Sequence, residues 1–148
     1  MPLQGEYEPS PSDWVRKQVE EYERTGGKSG NTLRDTGRPV IIVTTRGAKS
    51  GKIRKFAVMR VEHNGEYALV ASKGGAPQNP NWYHNLIAHP DEAMIQDDPA
   101  PFDVEIHQAS DAERAEWWPR AVAAYPPYDE YQAKTSRKIP VLIAKRKA

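Results

Sequence analysis

An Asn-Gly pair between two strand-like runs limits the fold of this chain most strongly. Asn64 and Gly65 join residues 56–62 to residues 67–72. Asn-Gly favours the two-residue turn of an antiparallel hairpin, because both positions tolerate a positive φ. Residues 40–45, a β-branched run just before, indicate a buried strand. The three runs together predict an antiparallel meander.

The rest of the chain predicts further short elements. Apolar residues at helical spacing before Gly26 predict a first helix. Later segments predict three more helices, and strands at residues 93–96, 102–108 and 139–143. About six short, mostly antiparallel strands with helices at the ends predict an α+β fold built on a small barrel. The length of 148 residues indicates a single domain. Within it, we expect residues 1–38 to form an N-terminal arm, helix and loop, and residues 39–148 to form the barrel.

A basic loop occupies residues 46–55, where five of ten residues are Lys or Arg. From residue 36 to residue 61 there are seven basic residues and no acidic ones; because the chain's formal charge is +1, the rest carries −6. Such a loop suits a phosphate, a run of carboxylates or a nucleic-acid backbone. Gly47 and Gly51 would let backbone N–H groups face the anion. The alternative is a solvated hairpin turn.

Several kinds of site are excluded or disfavoured. There is no cysteine, Walker A motif, GxGxxG or GxSxG elbow, and the four histidines lack metal-ligand spacing, so no metal site is predicted. An isoelectric point of about 7.9 argues against a nucleic-acid partner. No apolar run approaches the roughly 20 residues of a membrane span. The first 24 residues lack the apolar core of a signal peptide, so we expect a cytoplasmic protein.

The remaining segments suit a flat, anionic ligand. The glycine turn at residues 72–75 would let a planar ring approach the backbone, and the helix after Asn79 offers free amides. Aromatic side chains could wall the site: Trp82, Tyr83, Tyr128 and Tyr131. For the last two, three residues apart, the alternative is a hydrophobic helix face.

Two long strings carry a family resemblance: TTRGAKSGKIRKFAVMRVEHNGEYALVASKGGAPQNPNWYHNLIAHP and WWPRAVAAYPPYDEYQAKTSRKIPVLI. They closely resemble the deazaflavin-dependent nitroreductase and quinone reductase family of actinobacteria, and lie between about residues 37 and 143. The resemblance implies a split β-barrel related to FMN-binding pyridoxamine-oxidase-like proteins. It also implies the cofactor coenzyme F420, an 8-hydroxy-5-deazaflavin whose tail carries a phosphate and a poly-glutamate chain.

The resemblance assigns roles residue by residue. The phosphate and glutamate tail would be held by Lys49, Ser50, Gly51, Lys52, Arg54 and Lys55. The deazaflavin ring and its ribityl chain would be bordered by Met59, Ala71, Ser72, Lys73, Gly74 and Gly75, with the wall completed by Asn79, Pro80, Trp82, Tyr83 and Asn85. The acceptor side would be formed by Tyr67, Ser72, Tyr128 and Tyr131. Trp14 would close the pocket. Phe56-Ala57 stands where the family has a small residue followed by proline.

The implied activity is hydride transfer from reduced coenzyme F420 to a quinone or nitroaromatic acceptor. Tyr128, Tyr131 or Ser72 would bond the acceptor oxygen as charge develops there. Two alternatives stay open: a split barrel that binds FMN or another flavin, and a non-catalytic module that binds an anionic ligand. The oligomeric state and a peripheral membrane contact through the N-terminal arm are left open.

Overall fold

The computed structural model describes residues 5–32, 37–97 and 99–147. The four helices of these residues are α1 (Asp13–Thr25), α2 (Asn81–Ala88), α3 (Asp111–Ala124) and α4 (Pro127–Lys134), with a 3₁₀ turn at Lys73–Gly75. The strands are β1 (Val40–Arg46), β2 (Ile53–Met59), β3 (Glu62–His63), β4 (Glu66–Val70), β5 (Ala93–Gln96), β6 (Pro101–Gln108) and β7 (Val141–Arg146). None of these helices is long and apolar enough to cross a lipid bilayer.

The strands form one antiparallel sheet in the order β2-β1-β5-β6-β7-β4-β3. Although β2 and β4 lie near opposite ends of this order, they contact each other, so the sheet curls on itself. A curled antiparallel sheet with flanking helices confirms the predicted α+β split barrel. The basic loop is the connection of the β1–β2 hairpin, in which Gly51 has a φ of 72°.

The predicted meander is wrong in one respect. Asn64 (φ 53°) and Gly65 (φ 80°) do form the expected turn, but it joins only the two-residue strand β3 to β4. Strand β2 ends at Met59, and the next amide, of Arg60, donates to the carbonyl of Pro39. Because the sheet curls, β4 pairs with β7 rather than with β2, and a seventh short strand appears.

The core has two clusters of buried side chains, because alternate residues of a strand point to opposite faces. On β1, Val40 and Ile42 join the cluster that packs against α1, α3 and α4, whereas Ile41 and Val43 join the cluster beneath α2. All four are at most 3% exposed. Helix α1 belongs to this same core through Val19 and Tyr22, each 1% exposed.

The N-terminal segment lies on the start of β2. Tyr7 forms a parallel bridge with Ile53, the Ile53 amide bonds the Glu6 carbonyl at 2.7 Å, and the Glu8 amide bonds the Ile53 carbonyl at 2.9 Å. We call residues 5–8 the N-terminal strap. These bonds hold the predicted N-terminal arm against the barrel at residues 5–8, and residues 1–4 lie outside the described part of the chain.

Candidate active site

Two adjoining cavities open between α1, β2, α2 and α4. The first, of about 470 Å³, is the apolar pocket, and the second, of about 500 Å³, is the basic pocket. Val15, Phe56 and Trp82 line both, so the cavities form one cleft with an apolar and a cationic half. The cleft therefore suits a molecule with a flat apolar body and an anionic extension.

The junction of the two pockets is an aromatic platform. The rings of Phe56 and Trp82 stack with their centroids 4.8 Å apart and an angle of 13° between their planes. Phe56, which the resemblance marks as a departure from the family sequence, adds a second ring to the wall at this junction.

The glycine turn forms one side of the apolar pocket. Ser72 and Lys73 line the cavity, and Lys73 has a φ of 46°, which is uncommon for a residue with a side chain. Gly75 (φ 84°) packs against α4 so closely that a Cβ there would lie 2.8 Å from the carbonyl oxygen of Tyr131. Only glycine fits this contact, which holds the turn against the tyrosine helix.

Three tyrosines line the apolar pocket beside this turn. Tyr128, Tyr131 and Tyr125 all line the apolar pocket, and the hydroxyls of Tyr125 and Tyr131 lie 3.2 Å apart. The hydrogen bond with Tyr125, together with burial, raises the pKa of Tyr131 to about 12. Burial also raises the pKa of Tyr128 above its ordinary value, and within the described part of the chain its hydroxyl bonds no other group. These phenols stay protonated and can donate.

The basic pocket gathers most of the predicted tail residues. Lys49, Ser50, Arg54 and Lys55 line it, and Asn85 fixes the loop because its side-chain oxygen accepts the Ala48 amide at 2.9 Å. The pocket also adjoins the first residue of α2, where free backbone amides favour an anion.

No acidic residue lies near these cations in the sequence, but the fold brings carboxylates to three of them. Arg54 pairs with Glu8 at 2.6 Å and Lys55 with Glu23 at 2.6 Å, while Lys52 lies 3.8 Å from Glu6. The carboxylates come from the strap and α1, between 32 and 46 residues away. Among the described residues, Lys49 has no such pair. An anionic ligand must therefore compete with carboxylates of the chain itself.

Replacing Glu8 and Glu23 together by glutamine is expected to tighten the binding of an anionic cofactor tail on the order of fivefold, because two partly exposed ion pairs no longer compete. Equilibrium fluorescence titration of the cofactor measures the change. Glu21→Gln is the matched control, since Glu21 pairs with Arg24 on the same helix outside the cleft. Weaker binding in the double variant would mean that the carboxylates orient the cations rather than compete for them.

Other predicted residues divide between the cleft and its surroundings. Met59, Pro80, Trp82 and Trp14 line the apolar pocket. Gly74 lies within the 3₁₀ turn. Six further predicted residues are outside the set that lines either described cavity: Gly51, Lys52, Ala71, Gly75, Asn79 and Tyr83. Asn79 accepts a bond from Arg137, and the Tyr83 hydroxyl donates to Gln108 at 2.7 Å. These residues support the walls rather than form their inner surface.

Tyr67 lies away from the other predicted acceptor-side residues. It belongs to the cluster beneath α2, and its hydroxyl donates to Asp97 at 2.7 Å, where Arg60 also bonds. Ser72, Tyr128 and Tyr131 share the apolar pocket, but Tyr67 is not among the described residues around it. The geometry thus does not support the predicted role of Tyr67 in catalysis. It gives Tyr67 a structural role instead.

Tyr67→Phe is expected to lower the free energy of unfolding by about 1–2 kcal/mol at neutral pH, through loss of the bond to Asp97, and to keep turnover. Burial, and then Asp97, raise the pKa of Tyr67 above its ordinary value of 10.0. The unfolded chain therefore ionises first, so stability is full below pH 10 and declines above it. Denaturant unfolding across this range should show a shallower alkaline decline in the variant. A steep loss of turnover would return Tyr67 to the mechanism.

Several residues of the cleft were not predicted. Tyr125 is the most important, and it had a signal: it precedes Tyr128 by three residues, the same interval that separates Tyr128 from Tyr131. Glu8 and Gln18 had none, because only the folding of the strap and α1 over β2 brings them to the cleft.

Comparison with known proteins agrees with this geometry. The family model described as F420H(2)-dependent quinone reductase matches residues 14–146. An F420H(2)-dependent quinone reductase of Mycobacterium tuberculosis is 35% identical over 129 residues, covering 85% of each chain.

Two solved structures are also similar. An F420-H2 dependent reductase (FDR-A) is 51% identical with a TM-score of 0.68, covering 73% of this chain and 95% of that one. A chain described as a domain-swapped dimer is 48% identical with a TM-score of 0.70, covering 92% of this chain and 100% of that one. With a cleft made of an apolar and a basic half, and a match over nearly its whole length, this chain belongs to the F420H(2)-dependent quinone reductase family of oxidoreductases.

Proposed function

We propose that this cleft catalyses hydride transfer from reduced coenzyme F420 to a quinone, with the ring and acceptor in the apolar pocket and the tail in the basic pocket. The observation that carries the proposal is the continuity of the two cavities across the Phe56–Trp82 platform. A flat ring fits one half, and a phosphate followed by carboxylates fits the other.

The residues of the cleft fit this cofactor. Lys49, Arg54 and Lys55 would hold the anionic tail, and the turn at Ser72 would lie against the ring because Gly75 allows close approach to α4. When bound, the reduced deazaflavin supplies the hydride. The protein's task is to orient the two rings face to face and to exclude water between them.

The tyrosines serve the acceptor. Negative charge develops on an acceptor oxygen as it is reduced, and a fixed donor at that oxygen lowers the barrier. Tyr128 is suited to this bond, because its hydroxyl faces no partner among the described side chains. Tyr131, bonded to Tyr125, would deliver a proton, and Tyr125 would restore it by the same hydrogen bond.

Nitroaromatic compounds are a second class of acceptor that we propose. The apolar pocket is bounded by aromatic rings from α1, α2 and α4, and such rings can stack on a planar aromatic acceptor. A cytoplasmic location and a peripheral membrane contact through the N-terminal arm stay predictions. Tyr7 of the strap and Trp14 of α1, which are 37% and 45% exposed, would be available for such a contact.

Selectivity between cofactors tests the proposal. Because the basic pocket suits several anionic groups, coenzyme F420 should bind much more tightly than FMN, which carries one phosphate. Equilibrium fluorescence titration with each cofactor measures the difference, and the salt dependence should be steeper for coenzyme F420. Equal affinity would favour the generic flavin-binding split barrel, and binding of neither cofactor would favour the non-catalytic anion-binding module.

A further inference from the structure

One arginine outside both cavities holds the turn that walls the apolar pocket. Arg137, just after α4, uses all three guanidinium nitrogens. Its Nε donates to the Ala76 carbonyl at 2.8 Å, Nη2 to the Ser72 carbonyl at 2.8 Å, and Nη1 to the Ala71 carbonyl at 3.2 Å. Nη1 also donates to the side-chain oxygen of Asn79 at 2.7 Å.

These acceptors enclose the glycine turn. Strand β4 ends at Val70, so the carbonyls of Ala71, Ser72 and Ala76 lie beyond the sheet ladder. The turn also contains Lys73 at a positive φ, a conformation that a residue with a side chain rarely keeps without outside support. The planar fork of an arginine can satisfy several carbonyls at fixed angles, and a lysine cannot.

The same arginine is anchored to the tyrosine helix. Its own carbonyl accepts a bond from Gln132 of α4 at 2.8 Å, and Gly75 of the turn packs on the Tyr131 carbonyl. Arg137 therefore joins two walls of the apolar pocket, one bearing Ser72 and the other bearing Tyr131.

We propose that Arg137 is a positioning residue: it fixes the glycine turn relative to α4 and so sets the distance between the ring-binding wall and the tyrosines. The proposal rests on the proposed function only in placing the ring in the apolar pocket. A displacement of about 1 Å between reacting groups can cost on the order of a hundredfold in rate. Loss of Arg137 should accordingly lower kcat while the tail, held in the other pocket, keeps the cofactor affinity.

The experiment compares Arg137→Ala with the parent protein by two readouts. In the cofactor-free protein, hydrogen exchange of the peptide spanning residues 71–80 should become faster. Without Arg137 to hold the turn, the hydrogen bonds of the Gly75 and Ala76 amides should open more often. In turnover with menadione, kcat should fall about tenfold or more, with the dissociation constant of coenzyme F420 nearly unchanged. Added guanidinium should return the exchange rate and kcat of Arg137→Ala toward the parental values. Arg137→Lys should show the same faster exchange and lower kcat as Arg137→Ala.

Two control variants separate positioning from general stability. Lys138→Ala removes the neighbouring cation, which bonds Asp111 at the surface, and should change neither readout. Val104→Ala weakens the cluster beneath α2 and should lower the melting temperature while leaving kcat intact.

Arg137→Gln, which keeps a planar donor, serves where the alanine variant does not fold and should show intermediate exchange. Unchanged exchange and kcat in the Arg137 variants, or an equal loss of kcat in Val104→Ala, would overturn the proposal. Faster exchange without any activity of the parent protein toward coenzyme F420 would instead reject the proposed function.

Discussion

Replacing Lys49 and Arg54 together by alanine is expected to weaken the binding of coenzyme F420 on the order of a hundredfold. Both side chains line the basic pocket. A hydrogen bond to a charged group contributes about 1.5–3 kcal/mol, and each 1.4 kcal/mol is about tenfold in affinity. Fluorescence titration at several salt concentrations measures it, and the salt dependence should be shallower in the variant because fewer charges contribute.

Two controls make this result interpretable. Lys138→Ala removes an exposed cation that pairs with Asp111 and lines neither pocket, and it should leave the affinity unchanged. Repeating the double substitution with Glu8→Gln separates lost attraction from new repulsion, because Arg54→Ala leaves the Glu8 carboxylate without its partner. Parental affinity in a folded double variant would show that the cofactor tail does not bind in the basic pocket.

Substituting Tyr128 by phenylalanine is expected to lower turnover on the order of a hundredfold, because it removes one donor to the acceptor oxygen and keeps the ring. Cofactor affinity should hold. Tyr131→Phe should also lower turnover, since it interrupts the pair with Tyr125. Because the pKa of Tyr131 is raised to about 12, the proton stays in place across the neutral range, and turnover should not fall near the ordinary tyrosine pKa of 10.0.

Tyr67→Phe is the matched control for these substitutions, because its hydroxyl bonds Asp97 outside the apolar pocket. Steady-state rates with menadione, at saturating cofactor, give the comparison. If Tyr128→Phe and Tyr131→Phe reduce menadione at the parental rate, solvent supplies the proton and these tyrosines only shape the pocket.

Local features of the fold could be predicted from the sequence because each depends on near neighbours. The Asn64-Gly65 turn needs only two residues that tolerate positive φ, and both have it. The start of α3 at Ser110 is equally local: the Ser110 hydroxyl accepts the Glu113 amide, and the Glu113 carboxylate accepts the Ser110 amide. Such interactions are encoded within four residues.

What could not be predicted depends on contacts between distant segments. Nothing in the basic loop itself indicates that Glu8 will pair with Arg54, 46 residues away. Pairing of β4 with β7 likewise follows from closure of the curled sheet, not from the hairpin that precedes it.

The placement of Tyr67 is different, because its signal was in the sequence. Residues along a strand alternate between faces, so Tyr67 and Leu69 must point away from Ala68 and Val70. Val70 lines the apolar pocket, and Tyr67 accordingly joins the opposite cluster. The family resemblance assigned Tyr67 to the acceptor side, and the parity of β4 argues otherwise.

The most direct test of the central claim is single-turnover oxidation of reduced coenzyme F420, bound to the purified protein, on mixing with menadione. We expect oxidation of the bound cofactor to be much faster than in solution without protein, and to slow in Tyr128→Phe without release of cofactor. Oxidation no faster than in free solution would contradict the account, because the cleft would then bind a deazaflavin without bringing it to an acceptor.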